Sequence, residues 1–252
     1  MMNQTHWLRA LFVLPLLLLA ACMLPVNAGE QHLSLDRFKA DIQAYEAQDA
    51  AETAKTVHEA GQKGVKLIAP HHQTVFIGSS TFTRWRSLET VFKKFDAIDR
   101  GFGGSTIPEI THFAKRVVLP YQPKEIVFYA GTNDIGELHH SGQQVFEDFT
   151  HFVAVVRKQL PDTDIFFVSM SVPPSRLEFI HEYDVGNAMI REWVDGQPHL
   201  HYIDVTPVMH NASGHLKEEF FDPGDHLHMT PDGYAAWIPL IQTALDAYRT
   251  RP

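Results

Sequence analysis

The sequence predicts a three-layer α/β/α domain built on a five-stranded, mainly parallel sheet. Three observations lead there. From about residue 34 the chain alternates short apolar runs with segments of helical period. The run "EIVFYAG", from Glu125, is apolar on both faces, as a strand buried inside a parallel sheet must be. The last periodic segment carries its own start signals, with Thr230 placed to cap it and Pro231 suited to the first helical position.

Taken in order, "SLDRFKADIQAY" spaces Leu35, Phe38, Ile42 and Tyr45 along one helix face. The segment from Ala47 to Gln73 is polar and reads as helix, then loop. Thr74 to Ile77 is the first strand. "RWRSLETVFKKF" reads as a helix with Trp85, Leu88, Val91, Phe92 and Phe95 on one side, and Trp85 as its core anchor. "DAIDRG" is a short second strand. "IPEITHFAKRVV" returns to helical spacing, with Ser105 expected to cap it. After the third strand, "VFEDFTHFVAVV" turns Val145, Phe149, Phe152 and Val156 inward. "DIFFVSM" is the fourth strand, a helix runs from about Tyr183 to Val194, and "HYIDV" is a weaker fifth strand. Tyr234, Trp237, Ile238, Ile241 and Leu245 form the buried stripe of the final helix.

Composition fits a packed globular core, with 44% hydrophobic and 20% charged residues. A net charge of −9 argues against nucleic acid as a partner. The single cysteine, Cys22, allows no disulfide within the chain. It ends a stretch with Arg9 near its start and an apolar run from Ala10 to Ala21, which reads as a secretory signal. Leu19-Ala20-Ala21-Cys22 resembles a bacterial lipobox, in which the cysteine becomes a lipid anchor. Ordinary cleavage after Val26-Asn27-Ala28 is the rival reading. Residues 1–28 are accordingly set apart as signal and 29–252 as the folded domain, exported to the cell envelope or periplasm.

In an open α/β sheet the ligand site lies beyond the carboxyl ends of the strands. The residues just after each strand therefore matter. The first strand leads into Gly78-Ser79-Ser80, the second into Gly101-Phe102-Gly103-Gly104-Ser105, and the third into Gly131-Thr132-Asn133-Asp134. The fourth leads into Ser171-Val172-Pro173-Pro174-Ser175-Arg176, and Asp225-His226-Leu227-His228 precedes the last helix. Taken singly, each block is ordinary turn or capping chemistry. Taken in order, they hold the residue types that acyl transfer needs.

These blocks resemble the SGNH hydrolases, or GDSL esterases, named for Ser, Gly, Asn and His in that chain order. The matches are Ser80 in "IGSS", Gly104 in "RGFGGS", Asn133 in "AGTND" and His228 in "DHLH". "GSS…W", "RGFGGS" and "DxLHM" are similar to the branch with Gly-Ser-Ser in place of Gly-Asp-Ser. The resemblance runs from about Thr74 to Tyr234. It implies a flavodoxin-like order of the sheet and a serine esterase with no cofactor and no metal. Ser80 is then the nucleophile, His228 the base and Asp225, three residues earlier, the group that orients it. The N–H groups of Ser80 and Gly104 and the Asn133 side-chain amide form the oxyanion hole. Ser79 replaces the family's usual aspartate, and Asp99 stands where asparagine often precedes "RG". The Gly-x-Ser-x-Gly elbow of the α/β-hydrolases is absent.

Other readings remain at this level. Asp225, His226 and His228 can be drawn as metal ligands, with His71-His72 or His139-His140 nearby, although no two-histidine helical zinc spacing with an intervening glutamate occurs. A non-catalytic glycan- or lipid-binding module on the same fold is a third reading. Ser79 and Ser105 are rival serines, and Asp134 is read as ordering the Asn133 loop. Arg176 is read as a solvated arginine, with contact to an anionic substrate group as the other reading. The family acts on acetylated sugars, lipid esters, lysophospholipids and thioesters. No long apolar lid insertion is visible, so a short acyl chain on a small-molecule, glycan or lipid ester is expected.

Overall fold

The structure is a computed structural model, and it describes residues 35–60 and 72–249. The signal segment, Cys22 and His71 lie outside the described residues. Five strands form one all-parallel sheet: β1 (Thr74–Gly78), β2 (Ala97–Asp99), β3 (Glu125–Tyr129), β4 (Asp164–Val168) and β5 (Leu200–Ile203). Their order is β2-β1-β3-β4-β5, as the flavodoxin-like expectation required. β1 and β3 are adjacent, with successive strands added outward on either side. The switch in winding direction therefore falls between their carboxyl ends, where a crevice opens.

Helices cover both faces. Leu35–Phe38 is a 3₁₀ turn leading into α1 (Lys39–Ala60), which shares one face with α4 (Ile107–Val117), α6 (Gly142–Arg157) and α7 (Ile180–Val194). Their buried side chains meet the inward residues of the sheet, such as Val75, Ile77, Phe128 and Phe167. The opposite face packs Phe76, Val127, Phe166 and Val168 against α8 (Pro231–Arg249) and the short turns after β1. The inner strands β1, β3 and β4 thus bury both faces, which explains their continuous apolar runs. No helix among the described residues is long and apolar enough to cross a membrane.

Two local expectations are corrected. The segment after β1 is not one helix. It breaks into α2 (Ser80–Thr83), α3 (Leu88–Val91) and a 3₁₀ turn at Lys93–Phe95. Its apolar spacing is nevertheless honoured, because Trp85, Leu88, Phe92 and Phe95 are all buried. Trp85 stacks on Tyr234 of α8 at 4.8 Å and meets Phe92 edge-on, so aromatic packing, not helical continuity, sets the path. Nor does Ser105 cap α4. Its hydroxyl donates to the Gly78 carbonyl (3.2 Å), tying the ends of β1 and β2 together. Thr106 takes the cap position, and its backbone N–H donates to Glu109 (3.0 Å), the reciprocal arm of a capping box. The final helix does start as predicted, with the Gly233 N–H donating to the Thr230 hydroxyl (3.4 Å).

Candidate active site

β1 ends at Gly78 because the neighbouring backbone leaves no alternative: a Cβ there would lie 2.2 Å from the Tyr129 carbonyl oxygen. The chain then turns at once into α2. Ser79 is buried beneath the turn, its carbonyl accepting from the Phe82 N–H (3.1 Å). Ser80 opens the helix, so its N–H has no partner within it, and its side chain faces the crevice.

The loop before α8 meets this turn from 148 positions away in the chain, with His228 Nε2 2.9 Å from Ser80 Oγ. His228 Nδ1 is 2.6 Å from Asp225 Oδ2, and the other Asp225 oxygen accepts the N–H groups of Leu227 and His228, both at 2.9 Å. Burial pushes the Asp225 carboxyl up, but these backbone donors and the His228 ring outweigh it. They hold it well below the usual carboxylate range. An ionised Asp225 accepts a hydrogen bond from Nδ1–H and so keeps the proton on that nitrogen, leaving Nε2 as an acceptor for the serine proton. The loop is itself closed by the Asp222 N–H donating to the His228 carbonyl (2.7 Å). Tyr234 pins α8 to the serine turn, donating to the Thr81 carbonyl (2.9 Å).

Gly104 and Asn133 line the same cleft as Ser80 and His228. Gly104 has φ +80°, while a Cβ there would meet nothing closer than 3.9 Å. The glycine is therefore required by its backbone angle and not by crowding. Asn133 sits on α5 (Thr132–Gly136), and its Nδ2 donates to the Ser105 carbonyl (3.0 Å). Asp134, fully buried beside it, accepts the Ile107 N–H (3.0 Å), and burial pushes its carboxyl up to about 7. It thus locks the third-strand loop to the start of α4.

His226 does not line the cleft. It is exposed at φ +52°, and its carbonyl accepts from the Ser175 N–H (3.0 Å). Among the described residues, Asp225, His226 and His228 do not converge as metal ligands, and both His228 nitrogens are already engaged.

Arg176 departs most sharply from the expectation of a solvated side chain. It is 5% exposed and lies inside the cleft. It donates to the Thr132 carbonyl (2.6 Å), to Asn133 Oδ1 (3.3 Å from each terminal nitrogen) and to Glu137 (2.6 Å). The leading helix also reaches the site, which its sequence does not announce. Arg37 donates to the Gly104 carbonyl (3.0 Å), Tyr45 to the Gly101 carbonyl, and Asp49 accepts from buried Arg100 at 2.6 Å and from Tyr121. Arg37 and Tyr45 therefore hold the Gly101–Gly104 loop, and Asp49 holds the arginine that precedes it. The sequence signal is slight: Arg37 in the 3₁₀ turn, and Tyr45 and Asp49 within an otherwise ordinary helix. Arg84, one turn after Ser80, approaches Asp225 at 3.5 Å.

A parallel sheet presenting a hydroxyl, an imidazole and a carboxylate in series at its switch point has the architecture of an acyl-cleaving hydrolase. The chain belongs to the GDSL-like lipase/acylhydrolase family, whose model matches residues 77–236, and is a carboxylic ester hydrolase. Solved structures of similar fold include a GDSL-like lipase from Bacteroides thetaiotaomicron, with TM-score 0.63, 20% identity, and coverage of 83% of this chain and 98% of that one. A carbohydrate esterase family 3 protein from Talaromyces cellulolyticus has TM-score 0.58 and 17% identity over 70% of this chain and 97% of its own. A Geobacillus acetyl-xylooligosaccharide esterase has TM-score 0.54 and 12% identity over 69% and 94%. Among curated proteins the sequence has no significant match.

Proposed function

We propose that the protein is a serine esterase that removes short acyl groups, acetyl first among them, from polar alcohols such as glycans. The carrying observation is the Ser80–His228–Asp225 chain, at 2.9 and 2.6 Å, opening on two unequal spaces. One, lined by Tyr129, Thr132, Ser171, Pro173 and Phe221, has a volume of about 20 Å³. A space of about 10–15 Å³ holds one water, so this lobe fits a methyl group and little more. The other is an open cleft of about 440 Å³ bordered by Arg37, Arg84 and Glu137, suited to a large hydrophilic alcohol.

In the reaction, Ser80 Oγ bonds to the acyl carbon while its proton passes to His228 Nε2. Negative charge gathers on the former carbonyl oxygen, facing the Ser80 and Gly104 N–H groups and the Asn133 amide. His228 returns the proton to the departing alcohol as the C–O bond breaks. Water, deprotonated by the same imidazole, then releases the acid and restores the serine. Asp225 keeps the ring in the required tautomer. The names of the carbohydrate esterase and acetyl-xylooligosaccharide esterase of similar fold accord with this reading. Export, inferred from residues 1–28 with Cys22 as the anchor, would set the enzyme before glycan or lipid esters of the cell envelope.

The test pairs a fluorophosphonate probe with a p-nitrophenyl ester series and an O-acetylated oligosaccharide. Wild type should label once, prefer the two-carbon ester and deacetylate the glycan. Ser80→Ala should neither label nor turn over. Labelling that survives in Ser80→Ala rejects the nucleophile, and faster turnover of a twelve-carbon than a two-carbon ester rejects the acyl preference.

A further inference from the structure

Next to the Asn133 loop, among residues that do not line the cleft, the structure holds a second cluster of polar groups. Asp134 is fully buried, and only one of its carboxylate oxygens is satisfied, by the Ile107 N–H. The other, Oδ2, accepts no hydrogen bond from any described residue. Such an oxygen in a protein interior is costly unless something else meets it. Asp148, two turns into α6, shows the same asymmetry. Its Oδ1 accepts from Gln144 (3.1 Å), and its Oδ2 accepts nothing. His140 turns Nδ1 toward the same point, 3.9 Å from Asp148 Oδ2. One ligand atom from each of the three lies within 4.8 Å of the other two.

We propose that Asp134, His140 and Asp148 bind a single divalent metal ion of the zinc type. Two carboxylate oxygens and one imidazole nitrogen form a donor set that zinc accepts, and the two negative charges neutralise the ion. Bonds of about 2.0–2.1 Å in a tetrahedral site place ligands roughly 3.4 Å apart, so the observed separations need only a small closure. The backbone already organises the three groups. His139 adopts φ +55°, turning the chain back so that the His140 N–H donates to the Asp134 carbonyl (2.9 Å). Ser141 then caps α6, accepting from the Gln144 N–H (3.2 Å), which fixes the helix that carries Asp148.

None of the three residues lines the cleft, so the ion would not touch the ester. Its role is structural. Asp134 directly follows Asn133 on one short turn, and the ion would join that turn to α6, stiffening the mount of the Asn133 amide. The competing occupant of this space is a proton shared between the two carboxylates.

Full-length protein stripped with a chelator and dialysed would be titrated with Zn²⁺ and, as a spectroscopic probe, Co²⁺. One tight equivalent is expected, with a d–d absorption band for Co²⁺ and a thermal midpoint several degrees higher with Zn²⁺. His140→Ala and Asp148→Asn alter partly exposed side chains and should lose both the tight equivalent and the midpoint shift. Absence of a tight equivalent in wild type, or its retention in both variants, overturns the proposal. So does an Asp148→Asn variant that matches zinc-loaded wild type in stability without metal, which would identify the shared proton. Fluorophosphonate labelling of Ser80 serves as a separate readout, so loss of this site and loss of the serine chemistry are distinguishable.

Discussion

Arg176 donates from both terminal nitrogens to the side-chain oxygen of Asn133, at 3.3 Å each. A guanidinium has no acceptor, so the amide must turn its oxygen toward the arginine and its NH₂ away. One amide hydrogen is then taken by the Ser105 carbonyl at 3.0 Å, leaving the other for the cleft. The orientation of the proposed oxyanion donor is thus set by a buried charge. Glycine at 136 makes room for that charge, since a Cβ there would lie 2.3 Å from Arg176 Nε.

Replacing Arg176 with methionine should therefore lower kcat by about 10²-fold with a smaller change in KM, the signature of a lost transition-state donor. Arg176→Lys should recover only part, because a point charge cannot serve three acceptors in the arginine's fork geometry. Gly136→Ala should act in the same direction by displacing the guanidinium. Steady-state kinetics check all three, and variants with wild-type kcat would remove Arg176 from the positioning of Asn133.

Asp225→Asn should lower kcat by about 10⁴-fold while leaving the fold intact. The asparagine oxygen can still accept the Leu227 and His228 N–H groups, but its NH₂ favours the wrong imidazole tautomer. Kinetics alongside circular dichroism give the comparison, and a loss of less than tenfold would contradict the orienting role.

The leading helix makes its own prediction. Asp49→Ala would strand Arg100, which is 1% exposed. Breaking a buried ion pair of this kind costs about 3–5 kcal/mol. Because Arg100 directly precedes Gly101, turnover should fall together with stability. Urea unfolding measured beside ester hydrolysis reads both, and unchanged stability would show the pair to be dispensable.

Asp99 gives a pH signature. Burial pushes its carboxyl up to about 7, the Gly101 N–H opposes this, the Glu89 charge adds to it, and Arg100 opposes it. The folded protein thus keeps a proton that the unfolded chain loses near pH 4. This contribution to stability falls as pH rises from about 4 to about 7 and then levels off. Asp99→Asn, which retains an acceptor for Gly101, should make the fall of the thermal midpoint across that window shallower, the remaining slope coming from Asp134, whose carboxyl burial also pushes up to about 7. An unaltered slope would place the pH dependence elsewhere.

The strands, the layer order and the final helix can be read from sequence because their signals are local. Period, turn residues and caps act over a few positions, as with Thr230 and Gly233. The Asp-x-x-His spacing is equally local, since one tight turn carries both Asp225 and His228. Arg176 escapes such a reading because burial is not a local property. It becomes an interior charge only when the β4 loop folds over α5. Ser105 leaves its expected capping role to Thr106 for a related reason, because the carbonyl that takes the Ser105 hydroxyl belongs to Gly78, on another strand.

The linear chain is enough to specify the chemical groups and the strand ends that carry them, because backbone propensity and apolar period are written residue by residue. Which distant groups meet is settled only on folding: Ser80 with His228, Arg37 with Gly104, Arg176 with Asn133, and Asp134 with Asp148. The meetings of Ser80 with His228 and of Arg176 with Asn133 arise from the order of a parallel sheet, which brings the loops after different strands to one edge, and the other two from helices packing beside those loops.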